Sequence, residues 1–254
     1  MPYDEAHRRI VVAIDGPSGS GKSTVSRRVA AALGLRFVDT GAIYRALTWW
    51  CLESGVDLED QAAVAAMAKD FPLEIGTDAR APKVAVGGRD IAAAIREPRI
   101  SAAVSAVATN LEVRATLLPV QRELIAQGRR GAVAEGRDIT TVVAPDADVR
   151  ILLTANEQAR LERRATEIHG DADEAAIEAT RDQVVRRDRD DSAVASFLTA
   201  GEGVRTIDSS GLTLDQVVNA VLAEVAATTG VGPEHPDIDL RGDRSGDESR
   251  EVGS

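Results

Sequence analysis

Ile10-Val11-Val12-Ala13-Ile14-Asp15-Gly16-Pro17-Ser18-Gly19-Ser20-Gly21-Lys22-Ser23-Thr24 is the stretch on which the reading of the whole chain turns. It begins with a continuous apolar run, Ile10 to Ile14, as expected of a strand covered on both faces. Gly16 to Ser23 then match G-x-x-x-x-G-K-[ST] without departure, a pattern that chance places in about 1% of chains this long. Beyond the match Val25, Val29, Ala32 and Leu33 recur at helical spacing, and Gly34 ends the helix. The glycines let the backbone wrap closely, so that successive N–H groups and the helix N-terminus can point at phosphate oxygens. Lys22 reaches the β- and γ-phosphates of a nucleotide, and the Ser23 hydroxyl can ligate Mg²⁺. Gly16, Pro17, Ser18, Gly19, Ser20, Gly21, Lys22, Ser23 and Thr24 are therefore the candidate ATP-binding residues.

Outward from this loop the chain alternates. Arg36 to Asp39 reads as a second short strand, and Ala132 to Glu135, Val149 to Leu153 and Val204 to Asp208 supply three more with helical segments between them. That order predicts an α/β fold with a parallel sheet covered on both faces. Two regions break the alternation. Between Phe71 and Ile91, Leu73 and Ile75 alternate, as do Val84 and Val86, and Gly87-Gly88 supplies a hairpin turn, so a small antiparallel insert is expected. Asn156 to Ser192 is helical and dense in arginine, which reads either as a solvated amphipathic hairpin or as a mobile lid over bound nucleotides. Pro119 interrupts the helical segment Leu111 to Ala126, where an interior proline costs on the order of 3 kcal/mol and predicts a kink or break. From Gly230 to Ser254 apolar periodicity disappears, and a disordered acidic tail is expected.

Composition narrows the function. The chain has 254 residues and a formal charge of −11, which argues against nucleic-acid binding through a basic surface. Cys51 is the only cysteine, so no internal disulfide forms, and its apolar neighbours predict a packed core thiol. The N-terminus lacks the apolar region of a signal peptide and no run is long enough to span a membrane, so a cytoplasmic protein is expected. Lys22, Lys69 and Lys83 are the only lysines, and arginine supplies the rest of the 30 basic residues. At that density a lone arginine carries no argument; one inside a motif does.

A phosphate loop alone does not name the reaction. The N-K-x-D guanine motif of GTPases is absent, and so is the apolar strand ending in Asp-Glu that motor ATPases carry. The nearest counterpart is Ala132-Val133-Ala134-Glu135, followed by Gly136-Arg137-Asp138. A carboxylate, an arginine and a second carboxylate crowd the end of a strand, where ligands bind in open α/β sheets; a surface turn is the alternative.

At this point the chain resembles the bacterial cytidylate (CMP) kinases of the nucleoside monophosphate kinase superfamily. The likeness runs from about Arg9 to Glu224 and is carried by the loop, then by Asp39-Thr40-Gly41-Ala42-Ile43-Tyr44-Arg45, Ser105, Arg114 and Gln121-Arg122. It continues through Glu135-Gly136-Arg137-Asp138, Thr141-Val142-Val143, Pro145-Asp146-Ala147 and Arg186-Arg187-Asp188-Arg189-Asp190-Asp191-Ser192. The resemblance implies a P-loop kinase domain over 9–228 with a five-stranded parallel core, a nucleotide-monophosphate-binding insert at about 45–110 bearing the small antiparallel sheet, and a helical lid at about 156–198. The tail, 229–254, lies outside it. The implied reaction is Mg²⁺-ATP-dependent phosphorylation of CMP and dCMP by a monomer that binds neither nucleic acid nor membrane.

By position, the resemblance makes Arg45 and Arg137 grip the acceptor's α-phosphate with Thr40 beside it, while Ser105, Arg114 and Asp138 read cytosine. Arg186 and Asp190 stand near the pentose, and Arg160 and Arg164 meet the transferring phosphates. Phosphoryl transfer is mainly positioning and charge neutralisation, so no general base is required, and the arginine fork suits phosphate. Three positions depart from the family pattern: Thr140 replaces a glycine, Phe197 a proline, and Ala193 a further lid arginine for which Arg189 is a candidate substitute. Two other functions stay open: a P-loop kinase of UMP or another acceptor, and an ATP-binding regulatory relative without turnover.

Overall fold

The apolar run that opens the chain is the centre of a five-stranded sheet. The computed structural model describes residues 9–233; the expectations for the first eight residues and for the tail from residue 234 lie outside the described residues. β1 (Ile10–Asp15) leads through the glycine loop into α1 (Lys22–Leu33), then to β2 (Arg36–Asp39), α2 (Thr40–Glu53) and α3 (Gln61–Lys69). β3 (Leu73–Ile75), β4 (Val84–Val86) and β5 (Arg89–Asp90) form a separate antiparallel sheet, with Gly87 and Gly88 in the left-handed region at φ 54° and 80° between the last two. α4 (Pro98–Ala108), α5 (Leu111–Ala126), β6 (Gly131–Gly136), β7 (Val149–Thr154), α6 (Glu157–His169), α7 (Glu174–Asp191), β8 (Arg205–Asp208) and α8 (Leu214–Thr229) complete the chain.

Sheet order is β2-β6-β1-β7-β8 and every pairing is parallel. Ile10, Val12 and Ile14 pack with Val25, Val29 and Leu33 of α1 and Val218 and Val221 of α8. Ala13, Ala132 and Ala134 turn the other way, towards Ile125 of α5 and Ile139 and Val143 of a π-type turn. The period-2 alternation of a strand thus serves two helical layers at once. All strands run the same way, so the carboxyl ends of β1, β2 and β6 bring Asp15, Asp39 and Glu135 to one edge of the sheet.

Two expectations require correction. The chain does not break at Pro119: α5 continues across it, with Val113, Leu117, Gln121 and Ile125 burying one stripe on both sides, so packing outweighs the local cost of the missing N–H. Ordered packing also outlasts residue 229: Gly230 caps α8 at φ 75° and Val231 packs on the α1/α8 face. Cys51 is fully buried, as its neighbours predict, and burial pushes its thiol up to about 11. Among the described residues no helix is long and apolar enough to cross a membrane.

Candidate active site

The loop between β1 and α1 is held from outside by cations. Arg137 donates to the Gly16 carbonyl at 2.8 Å, Lys22 to Pro17 at 3.3 Å, Arg160 to Ser18 at 3.1 Å and Arg163 to Ser20 at 3.3 Å. Gly19 and Gly21 adopt φ 76° and 84°. A Cβ at Gly19 would lie 2.5 Å from the Arg160 carbonyl, so only glycine lets α6 pack on the loop. No side chain caps α1, whose N-cap is Gly21, whereas Asp39, Asp60, Asn110, Asn156, Asp173 and Thr213 cap other helices. The donors of that first turn, next to a glycine loop, suit a phosphate.

Asp15 secures the second wall. Its carboxylate accepts from the amides of Ile139 and Thr140 at 2.9 and 2.8 Å and from the Thr140 hydroxyl at 2.7 Å. Burial pushes its pKa up, against these hydrogen bonds. The Thr140 hydroxyl thus adds a third donor to the two amides that hold the Asp15 carboxylate. Gly136 leaves no room for more: a Cβ there would come within 2.4 Å of Thr40 Oγ1, whose hydroxyl donates to the Glu135 carbonyl at 2.8 Å.

Charges crowd between these walls. Asp39 caps α2 by accepting from Ala42 at 2.7 Å and pairs with Arg45 at 3.0 Å. Burial works to raise its pKa, but Arg45 and the Ala42 amide prevail and hold it below the usual value. Glu135 accepts from Ser23 Oγ at 2.6 Å, and burial, with Asp39 nearby, raises it to about 7. Lys22 is lowered to about 7 by burial and by Arg137. Arg187 is lowered to about 10 by burial and by Arg137. The buried Nε–H groups of Arg45, Arg137, Arg160 and Arg187 have no hydrogen-bond acceptor among the described residues. Desolvated, mutually repelling cations with spare donors are a receptor for polyanions.

One pocket gathers Ser18, Gly19, Gly21, Lys22, Ser23 and Thr24 of the loop with Thr40, Arg45, Arg114, Arg137, Asp138 and Arg164. Arg114 is ion-paired with Asp138, and burial raises the Asp138 pKa against that pairing. Arg164 donates to Ser101 Oγ at 3.1 Å. Gly16, Pro17 and Ser20 belong to the loop without lining the pocket.

Other expected residues sit elsewhere. Ser105 does not line the pocket and donates to Asp191 at 3.1 Å, while Arg160 contacts Ser18 and Asp188. Arg186 is exposed, and Asp190 pairs with Arg189, itself 78% exposed. The pocket is lined instead by their neighbours Arg187 and Asp191, 3.7 Å apart. Arg189 does not line that pocket. Ala193 is exposed and Val194 lines the pocket. Phe197 is fully buried beneath Arg137, whose guanidinium carbon lies 4.8 Å from the ring centroid. Sequence reasoning also missed Arg96 in the pocket lining and Arg163, which donates to the Ser209 carbonyl at 2.6 Å.

A parallel sheet, a phosphate loop after its central strand and arginines converging from the turn after β6 and from α2, α6 and α7 define a P-loop nucleotide kinase. Within that class the chain belongs to the cytidylate kinase family, whose profile matches residues 12–227. It is 45% identical over 217 residues to the cytidylate kinase of Streptomyces avermitilis, covering 85% of this chain and 92% of that protein. It is 47% identical over 229 residues to that of Nocardia farcinica (88% and 96% covered). It is 47% identical over 220 residues to that of Cutibacterium acnes (86% and 97% covered). Among solved structures, an uncharacterized protein from Eubacterium ventriosum aligns with TM-score 0.46 and 10% identity over 86% of this chain and 99% of its own, a likeness too weak to carry an argument.

Proposed function

We propose that the protein transfers the γ-phosphoryl group of Mg²⁺-ATP to CMP and dCMP, giving ADP and CDP or dCDP, in cytoplasmic pyrimidine nucleotide metabolism. The observation that carries this reading is the juxtaposition of the Arg114–Asp138 pair with Arg45, Arg137 and Lys22 in one pocket. Cytosine presents an N4 amine and an N3/O2 acceptor edge. Asp138 accepts from the first and Arg114 donates to the second, so the base takes both ends of an ion pair that it finds preassembled.

Arg45 and Arg137 hold the α-phosphate of the acceptor beside Thr40. The loop amides and the N-terminus of α1 hold the phosphates of ATP, and Lys22, Arg164 and Arg187 neutralise charge on the transferring group. Mg²⁺ has hard oxygen donors in Ser23 and Glu135, 2.6 Å apart. Among the described residues no three carboxylates, histidines or cysteines gather into a metal cage, which suits an ion held largely by phosphates and water. Asp191, next to Arg187, takes the pentose role first given to Asp190. The lid comprises α6 and α7 and the acceptor insert α3 to α4, on a chain that works as a monomer.

ADP release measured with ATP and a panel of acceptors tests the reading. Release that depends on CMP or dCMP is expected. Release with another acceptor alone would give the enzyme a different substrate. ATP binding without turnover would make the protein a regulatory relative.

A further inference from the structure

Asp188 has no part in the chemistry proposed above, yet it is the carboxylate on which three parts of the site meet. It lies on α7 and is 6% exposed. Its Oδ1 accepts from the Ser18 amide at 2.9 Å, across 170 residues of chain. Its Oδ2 is ion-paired with Arg160 of α6, and Oδ1 lies 3.9 Å from Nη2 of Arg137 at the end of β6. Arg160 in turn donates to the Ser18 carbonyl at 3.1 Å. The two peptide groups flanking the Ser18 Cα are thus gripped together, the Ser18 N–H by the carboxylate and the Ser18 C=O by the arginine of a single ion pair. One residue on, Gly19 admits the α6 backbone so closely that a Cβ would collide with it. Asp188 is itself held: Ser192 donates from its amide at 3.0 Å and its hydroxyl at 2.6 Å to the Asp188 carbonyl at the end of α7.

From this ring of contacts we infer that Asp188 is a positioning residue, the latch that seats the helical lid on the phosphate loop by holding Arg160 and the Ser18 amide together. It touches no reacting atom. Its charge is needed, because a neutral acceptor would satisfy the Ser18 amide but leave the buried Arg160 guanidinium uncompensated, whereas Arg137 keeps Asp191 at 3.3 Å. The inference rests on the reading of the loop as the ATP phosphate site, but the latch itself is a property of the unliganded protein.

The test begins with the unsubstituted protein. Hydrogen exchange of the Ser18 amide, followed by NMR without nucleotide, is expected to be slow. Exchange at the rate of an unprotected amide would overturn the inference, whatever the protein phosphorylates. Asp188→Asn should then speed exchange at Ser18 and lower kcat roughly 10- to 100-fold, with the CMP dissociation constant within about threefold of normal. Asp188→Glu, which keeps the charge, should recover part of kcat. A merely structural Asp188 would lower Tm while leaving kcat and Ser18 exchange unchanged at temperatures where the variant is folded, and that result would also overturn it. Absence of CMP turnover in the unsubstituted protein, with Ser18 protected, would instead remove the proposed function and leave the latch standing.

Discussion

Asp138→Ala separates base reading from every other function of the pocket. In the folded protein the Asp138 side chain is 10% exposed and pairs with Arg114, itself 16% exposed. The substitution leaves the Arg114 guanidinium with the Ala108 carbonyl, at 3.2 Å, as its hydrogen-bond partner. Breaking a pair of this burial costs about 3–5 kcal/mol, towards the lower end because ionised Asp138 is already disfavoured by its desolvation. For a domain of this size that is a fall in Tm of roughly 6–20 °C, so a thermal melt of the variant sets an assay temperature at which it is folded. With CMP bound, the lost contact is a hydrogen bond from the N4 amine to a charged acceptor, about 1.5–3 kcal/mol or roughly 10- to 150-fold in kcat/KM. With UMP bound, the carboxylate faces an oxygen, and its removal relieves a repulsion. ADP release at a series of CMP and UMP concentrations should therefore show kcat/KM falling for CMP and holding or rising for UMP. An unchanged CMP-to-UMP ratio in a folded variant would refute the role given to this carboxylate.

Lys22→Ala should leave the fold intact by circular dichroism and lower kcat by several orders of magnitude; near-normal turnover would remove the ATP-site assignment. The Lys22 pKa of about 7 also predicts proton linkage. Burial and Arg137 favour the neutral amine in the unliganded protein and nucleotide phosphates favour the charged one, so ATP binding should be accompanied by net proton uptake. Calorimetry in two buffers of different ionisation enthalpy measures this, and Lys22→Met should bring the uptake close to zero. Thr140→Val removes the hydroxyl that donates to buried Asp15 at 2.7 Å. It should cost about 1.5–3 kcal/mol, a Tm lower by roughly 3–12 °C in a thermal melt.

The strand, loop and first helix were legible because phosphate binding demands contiguous residues at set spacing, and Gly16 to Ser23 supply them with nothing borrowed from afar. The antiparallel insert was legible for a similar reason: Gly87-Gly88 sits between two runs that alternate. Which arginine of α7 enters the pocket was not. Arg186 with Asp190, and Arg187 with Asp191, have the same four-residue spacing, and helical geometry rotates one pair about 100° from the other. The packing of Val184, which is 1% exposed, decides between them. Positions 184, 187, 188 and 191 share one face, so the apolar anchor within the arginine run was the signal available. That no break occurs at Pro119 was hidden for the opposite reason: a local penalty was weighed without the buried stripe that carries the helix across it. The partners of Asp188 were beyond sequence reasoning altogether, since Ser18 lies 170 residues away.

The central claim is that one phosphoryl group moves directly from ATP to CMP in this pocket. ATP labelled in the γ-position, incubated with the protein, Mg²⁺ and CMP, tests it when the products are separated and the label is located. The account predicts that the label appears in the β-phosphate of CDP, in step with ADP formed, and that omitting CMP abolishes both. Label found only in inorganic phosphate, or ADP formed at the same rate without CMP, would contradict it.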